Sequence, residues 1–170
     1  FTSSMAFQPI RLLFSGDIAS NIMFGNPEGG GQEMKEAAQI AQATEFIEAK
    51  PNKYESPISQ GGSNVSGGQK QRVSIARAML KDAPVFVFDD STSALDAETE
   101  RKLLENLRTY YKERTILIAA HKMSSVVDCD EIIYLSNGKI VERGTFDELM
   151  ELDGHFAGVY KTQMAKQTVA

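Results

Sequence analysis

The strongest candidate for chemistry in this chain is the motif Val-Ser-Gly-Gly-Gln-Lys-Gln-Arg at residues 65–72. It stands where a helical pattern begins. Glycines let backbone N–H groups come close to a bound anion, and a helix start adds unpaired donors and positive dipole character. Ser66 can add its hydroxyl group. The motif predicts a phosphate-binding turn, although a capped helix after a glycine turn explains the same residues equally well.

Two adjacent carboxylates, Asp89 and Asp90, follow an apolar run at residues 84–88. Ligands of α/β proteins bind at the carboxyl ends of the strands. One carboxylate could hold Mg²⁺ directly or through water, and the next could orient or deprotonate an attacking water. Taken alone, the pair is more typical of a capped turn than of a catalytic site.

A third polar residue at a strand end is His121, which directly follows the apolar run at residues 115–120. A histidine in this position can hydrogen-bond a developing phosphoryl charge. Taken alone, it is more typical of a polar end-cap.

The hydrophobic pattern predicts the elements that position these groups. Residues 84–88 and 115–120 predict buried strands, and residues 66–81 predict a helix with Ser66 as its N-cap. The remaining predicted elements are a short strand at 4–7, helices at 17–24, 33–49, 97–112, 145–152 and 155–167, and a hairpin at 132–135 and 139–142. Strands that alternate with helices indicate a parallel α/β sheet.

Composition limits the class of protein. The chain has 170 residues, of which 42% are hydrophobic and 24% are charged, as in an ordinary globular domain. The net charge of −5 argues against a basic nucleic-acid-binding face. A single cysteine, Cys129, excludes a disulfide framework and fits a reducing compartment. No apolar run approaches the roughly 20 residues that cross a bilayer. Residue 1 is not methionine, so we expect a chain that begins inside a larger protein.

In this order, the motifs resemble the nucleotide-binding domain of an exporter-type transporter of the ATP-binding cassette family, over essentially the whole chain. The matching segments are Gln8 for the glutamine loop, 12–18 and 21–22 for the exporter stretch after it, 54–62 for the segment that contacts the coupling helices of the membrane domain, 65–69 for the signature motif, 85–89 for the Walker B strand, 93–96 for the D-loop and His121 for the switch histidine.

The resemblance implies a P-loop NTPase-like parallel α/β sheet with an inserted helical subdomain, without the N-terminal strands and the P-loop. It divides the chain into a helical subdomain at about 15–82, a core at 83–150 and a C-terminal helix at 151–170. It also implies that ATP and Mg²⁺ are the cofactors. The residues it assigns are Asp90 and His121 to catalysis, Ser66, Gly67, Gly68, Gln69, Gln8 and Asp96 to nucleotide binding, and Asp89 and Gln8 to the metal.

The implied activity is ATP hydrolysis that powers export at the cytoplasmic face of the cell membrane. The implied partners are a second nucleotide-binding domain and the transmembrane domain of the same transporter, and nucleic acid is not among them. Two other functions stay open. One is a soluble cassette ATPase of DNA repair or chromosome maintenance, although sustained heptads and a basic face are lacking. The other is a non-catalytic interaction fragment.

Three features depart from the family pattern. No G-x-x-x-x-G-K-[ST] string occurs, so we expect this chain alone to bind ATP weakly or not at all and to be inactive. Val65 replaces the usual leucine. Asp90 replaces the usual glutamate, which withdraws the carboxylate by about 1.5 Å. A misplacement of about 1 Å can cost on the order of 10²-fold in rate. This departure resembles the impaired site of heterodimeric exporters and favours a heterodimer over a homodimer.

Overall fold

The computed structural model of the chain describes residues 6–7 and 12–168. Gln8, which the resemblance assigns to the glutamine loop, lies outside the described residues. The chain divides after Ala119 into two compact units. Among the helices of the described part, none combines the length and the apolarity that a membrane span requires.

The first unit contains five strands and five helices in the described part of the chain. In chain order they are β1 (Ala6–Phe7), β2 (Gly16–Asp17), α1 (Ile18–Met23), α2 (Gly31–Ile40), α3 (Thr44–Glu48), β3 (Pro57–Ile58), α4 (Gly67–Leu80), β4 (Val85–Asp89), α5 (Ala97–Tyr110) and β5 (Thr115–Ala119). Short 3₁₀ turns at Lys53–Glu55 and Gln60–Gly62 lie between α3 and α4.

The predicted parallel sheet is confirmed in the first unit. β4 lies between β1 and β5 and pairs in parallel with both. In β4 the side chains of Phe86 and Phe88 are buried, and the strand delivers Asp89 to its carboxyl end. β5 runs alongside in full register, from Val85 opposite Thr115 to Asp89 opposite Ala119. This pairing brings the carboxyl ends of the two strands to the same edge of the sheet.

Helix α4 is at the centre of the helical part of this unit. It packs against α1 and α2, and nine of its residues are buried. These include Val73, Ala76, Met79 and Leu80, which the sequence predicts as its apolar stripe. After its first turn the helix contains neither proline nor glycine, the two residues that disfavour a helix most. It therefore runs without a break from Gly67 to Leu80.

The single helix predicted at residues 33–49 is wrong, because the chain breaks it into α2 and α3. Gln42 has a φ of 57°, in the left-handed region, and the N–H of Ala43 donates to the carbonyl of Ala38 at 2.8 Å. Neither glycine nor proline marks the break. The carbonyl of Gln42 accepts from Arg72 Nη1 at 2.9 Å, so a contact 30 residues away along the chain favours the broken form over the local helical preference.

The second unit has a hairpin and two helices, all close to the predicted positions. Its elements are a 3₁₀ turn (Met123–Ser125), β6 (Ile132–Ser136), β7 (Lys139–Gly144), α6 (Phe146–Leu152) and α7 (His155–Thr168). Asn137 and Gly138 both have positive φ, 50° and 73°, as the predicted tight turn requires. The buried carboxylate of Glu142 accepts from the first backbone N–H groups of α7, which fixes that helix against the hairpin.

Candidate functional site

The first part of the site is the signature turn, which we define as residues 66–69. Ser66 is extended, with φ −68° and ψ 163°, and its Oγ accepts from the N–H of Gln69 at 3.2 Å. In return, Gln69 Oε1 accepts from the N–H of Ser66 at 3.3 Å. This reciprocal pair is a capping box, so the predicted N-cap is confirmed.

The capping box leaves backbone donors at the tip of the helix. The N–H groups of Gly67 and Gly68 have no acceptor within the described ranges. Ser66 and Gly67 are exposed, and Gly68 is half-buried. Unpaired N–H groups at the start of a fourteen-residue helix are suited to an anion. The turn is therefore a capped helix start whose donors suit an anion, and its assignment to phosphate binding stays a prediction.

The glycines of the turn have a second physical reason. A Cβ on Gly68 would lie 2.9 Å from the carbonyl oxygen of Ala94, closer than such contacts allow. A Cβ on Gly67 would meet only the Cβ of Ala94, at an ordinary 3.5 Å. Gly68 thus permits the close approach of the D-loop segment (residues 93–96) to α4, whereas Gly67 is required only if a ligand comes near.

The second part of the site is the carboxyl end of β4. Asp89 is exposed and Asp90 is half-buried. Asp90 has a φ of 50°, in the left-handed region that aspartate tolerates better than most residues. Its N–H donates to the carbonyl of Ala119 at 3.0 Å, and its own carbonyl accepts from Ser93 Oγ at 3.1 Å. The backbone at Asp90 is therefore held on both sides.

Asp96, at the end of the D-loop segment, is the N-cap of α5. Its Oδ1 accepts from the N–H of Thr99 at 2.9 Å, and its Oδ2 accepts from Thr99 Oγ1 at 2.7 Å. The backbone bond and then the side-chain bond lower the pKa of Asp96. The side chain is exposed and ionised, and it caps α5. Its assignment to nucleotide binding stays a prediction.

One residue that the sequence reasoning did not assign connects these parts. Gln71 is 1% exposed, and its Oε1 accepts from the N–H of Ala94 at 3.0 Å. Its Nε2 donates to Ser93 Oγ at 3.2 Å and to the carbonyl of Asp90 at 3.4 Å. The sequence feature that could have identified Gln71 is its position one helical turn after the glycines, which puts it on the side of α4 that they occupy.

His121 belongs to the second unit and is exposed. Its carbonyl accepts from Gln163 Nε2 at 2.8 Å, and Gln163 Oε1 accepts from the N–H of Met123 at 3.0 Å. Gln163 of α7 therefore fixes the backbone on either side of Lys122. The assignment of the imidazole to catalysis stays a prediction.

The donor set at the end of β4 fits Mg²⁺ as a partial shell. Within residues 12–166, where side chains are described, no group of three or more histidine, cysteine, aspartate or glutamate residues could hold a metal ion by itself. Asp89 and Asp90 offer two carboxylates. Mg²⁺ is usually bound by one or two carboxylates, with water and phosphate oxygens completing the shell, so these residues fit a metal that arrives with a nucleotide.

Comparison with known proteins gives a consistent set of similarities. A family model described as "ABC transporter" matches residues 3–93. The chain is 43% identical over 151 residues to an "ATP-dependent lipid A-core flippase" of Legionella pneumophila, covering 89% of this chain and 26% of that protein. It is 44% identical over 159 residues to a "Beta-(1-->2)glucan export ATP-binding/permease protein" of Rhodopseudomonas palustris, covering 94% of this chain and 26% of that protein.

A solved structure gives the same result for the fold. It is described as a bacterial Atm1-family ABC exporter with ATP bound, and it superposes with a TM-score of 0.86 at 35% identity. The match covers 91% of this chain and 27% of that chain. The chain thus spans about a quarter of the length of the proteins it resembles.

Proposed function

Because the chain belongs to the ATP-binding cassette transporter family, we propose that it is the C-terminal part of an exporter's nucleotide-binding domain. In the full-length protein it takes part in the ATP binding and hydrolysis that power export across a membrane. The observation that supports this most is the signature turn, whose two glycine N–H groups have no acceptor among the described residues. The exporter names of the relatives support the transport class.

The residues of the signature turn act on a phosphate of the partner's nucleotide. The N–H groups of Gly67 and Gly68 donate to phosphate oxygens, and the helix dipole of α4 adds favourable potential. The hydroxyl of Ser66 accepts from Gln69 and so keeps its own proton for a phosphate oxygen. Gln69 holds the turn closed through its bond to the N–H of Ser66.

The carboxyl end of β4 acts on the nucleotide that the full-length subunit containing this chain binds. Bound Mg²⁺ would neutralise part of the phosphate charge. Asp89 is the carboxylate placed to hold it, and Asp90 orients or deprotonates the attacking water. The family resemblance assigns Gln8 to the metal, Asp96 to nucleotide binding and His121 to the developing phosphoryl charge.

Asp90 makes the two sites of the assembled transporter unequal. The carboxylate is one methylene shorter than glutamate, so the site built on this chain hydrolyses ATP slowly. The signature turn retains its glycines and its capping box, so it serves the partner's site without loss. We therefore infer a heterodimer, with this chain as the subunit of the weakened site.

The remaining proposals concern the surroundings of the domain. The transmembrane domain of the same transporter docks against residues 54–62, and the domain works at the cytoplasmic face of the membrane. A role in DNA repair is not favoured, because the relatives reported above are exporters. Without a G-x-x-x-x-G-K-[ST] motif, the isolated chain is inactive and binds ATP weakly or not at all. Calorimetric titration of the isolated chain with ATP tests this, and micromolar affinity at one site would contradict it.

The proposed function is tested by a glycine pair in the full-length protein. Gly67→Asp puts a carboxylate where the phosphate approaches, and its Cβ fits the fold. Gly31→Asp is the matched control, because Gly31 is the first residue of α2 as Gly67 is of α4, and a Cβ there meets nothing within 4 Å. We expect Gly67→Asp to lower Mg²⁺-dependent ATP hydrolysis by about 10²-fold or more, and Gly31→Asp to leave it unchanged. Equal activity of both variants would contradict a phosphate at this turn.

A further inference from the structure

Gln71 is a buried polar residue in the packed part of α4. Its exposed fraction is 1%, and Val73 and Ser74, two and three residues later in the same helix, are buried as well. A buried amide costs free energy unless its donors and acceptor are paired. Gln71 pairs both ends of its amide, and all three partner atoms belong to the segment at residues 90–94.

The three bonds hold one short loop. The N–H of Ala94 donates to Gln71 Oε1 at 3.0 Å, while Gln71 Nε2 reaches Ser93 Oγ at 3.2 Å and the carbonyl of Asp90 at 3.4 Å. Ser93 Oγ itself donates to the carbonyl of Asp90 at 3.1 Å. Gln71, Ser93 and the Asp90 carbonyl therefore form a closed set of hydrogen bonds at the base of the loop.

The loop needs such support because of the backbone at Asp90. Its φ of 50° lies in the left-handed region, which a non-glycine residue occupies at a cost. Such a conformation persists only where the surroundings over-determine it. The N–H of Asp90 is held by the carbonyl of Ala119 in β5, and its carbonyl is held by Ser93 and Gln71.

We propose that Gln71 is a positioning residue for ATP hydrolysis, which fixes the direction of the Asp90 carboxylate from the signature helix. The inference rests on the function proposed above. Gln71 does not contact the nucleotide, and it acts through the backbone of Asp90 and Ala94.

A consequence follows for communication between the two sites. The start of α4 serves the partner's nucleotide, whereas Asp90 serves the nucleotide bound by this chain. Gln71 is one helical turn from Gly67 and Gly68, and Gly68 also lies against the carbonyl of Ala94. A shift of α4 when the partner's phosphate binds is thus passed directly to the segment that carries Asp90.

The test replaces Gln71 in the full-length protein. Gln71→Leu keeps a buried side chain, shorter by one atom, but it removes all three hydrogen bonds. In an assembly whose partner site is disabled, so that kcat reports only this chain's own site, we expect kcat to fall by about 10- to 100-fold, with KM for ATP changed by less than about twofold. In the nucleotide-free protein, we expect the Ala94 amide to exchange its hydrogen about tenfold faster or more.

The matched control is Ser74→Ala on the same helix. Ser74 is also buried, and its hydroxyl has no partner among the described residues. We expect this variant to leave kcat and the exchange of the Ala94 amide unchanged. If Gln71→Leu does not fold, Ser93→Ala serves in its place, because Ser93 is exposed and contributes its hydroxyl to the same set of bonds. For that variant we expect a kcat loss of a few-fold, up to about tenfold.

The outcomes separate this inference from the function beneath it. An unmodified full-length protein without Mg²⁺-dependent ATPase activity overturns the proposed function and with it the catalytic role of Gln71. Active protein in which Gln71→Leu keeps its kcat overturns only the inference. An unchanged exchange rate of the Ala94 amide in Gln71→Leu overturns the inference whatever the activity.

Discussion

The signature turn and the carboxyl end of β4 differ in the kind of group that we propose for ligand binding. In the signature turn the side chains of Ser66 and Gln69 accept hydrogen bonds in the capping box, and the donors that we propose for a ligand are the backbone N–H groups of the glycines and the Ser66 hydroxyl proton. At the end of β4 the N–H and the carbonyl of Asp90 are both hydrogen-bonded, and the groups that we propose for a ligand are the carboxylates of Asp89 and Asp90. Backbone donors are insensitive to side-chain identity, apart from the glycines that expose them. The position of a side-chain carboxylate, in contrast, depends directly on the length of the side chain that carries it.

The difference explains where this chain can depart from its family without loss. Val65 replaces leucine beside the signature turn, where it is half-buried and packs against the hydrophobic core. This departure changes packing and leaves the N–H donors in place. Asp90 replaces glutamate at the end of β4, where the same change of one methylene moves the carboxylate that we propose for the attacking water.

The largest effect is expected for Gly68→Ala. The added Cβ would lie 2.9 Å from the carbonyl oxygen of Ala94, so α4 and the D-loop segment must separate. We expect the free energy of unfolding to fall by about 1–3 kcal/mol and ATP hydrolysis by the full-length protein to fall by about 10²-fold. Urea unfolding and steady-state ATPase assays measure the two effects, and a variant of normal stability and activity would contradict the close approach.

A smaller effect is expected for Ser66→Ala, which removes one side of the capping box. We expect a loss of about 1 kcal/mol in the free energy of unfolding, since the N–H of Gln69 loses its acceptor. Thr145→Ala is the matched control, because Thr145 caps α6 with the same kind of box outside the motif. The two variants should lose similar stability, and only Ser66→Ala should lower ATP hydrolysis. A decrease in activity with both would mean that the cap matters only for stability.

The smallest effect on stability is expected for Asp90→Gly. Glycine adopts the φ of 50° without a steric cost, but it adds conformational entropy to the unfolded chain. These terms oppose each other, so we expect the free energy of unfolding to change by less than about 1 kcal/mol, while hydrolysis at this chain's own site is lost. A stability loss above about 2 kcal/mol would show that the Asp90 side chain is structural.

The regular elements could be predicted from the sequence because their signals are local. A few neighbouring residues are enough to predict the N-cap at Ser66, the turn at Asn137 and Gly138, and the strand β4. Each of these predictions is confirmed. The break at Gln42 could not be predicted in this way, since the hydrogen bond from Arg72 that accompanies it joins residues 30 positions apart.

The same division holds for the site. The motifs predict the signature turn and Asp90 as site residues, because their residue types are specific and consecutive, and these assignments stay predictions. Gln71 lies within the motif at residues 65–72, but its proposed role depends on three atoms at residues 90–94 that only the fold brings to it. The left-handed backbone of Asp90 has no sequence signal either, as aspartate is common in many conformations.

The most direct test of the account is the rate of ATP hydrolysis by the full-length protein carrying Asp90→Glu, with Asp89→Glu as control. Both variants lengthen a carboxylate by one methylene at adjacent positions. We predict that Asp90→Glu raises hydrolysis at this chain's own site by about tenfold or more, because it returns the carboxylate to the reach the family uses, so that the total rate beside a competent partner site rises up to about twofold. We predict that Asp89→Glu lowers the rate. An unchanged or lower rate for Asp90→Glu would contradict the claim that Asp90 weakens this chain's own site.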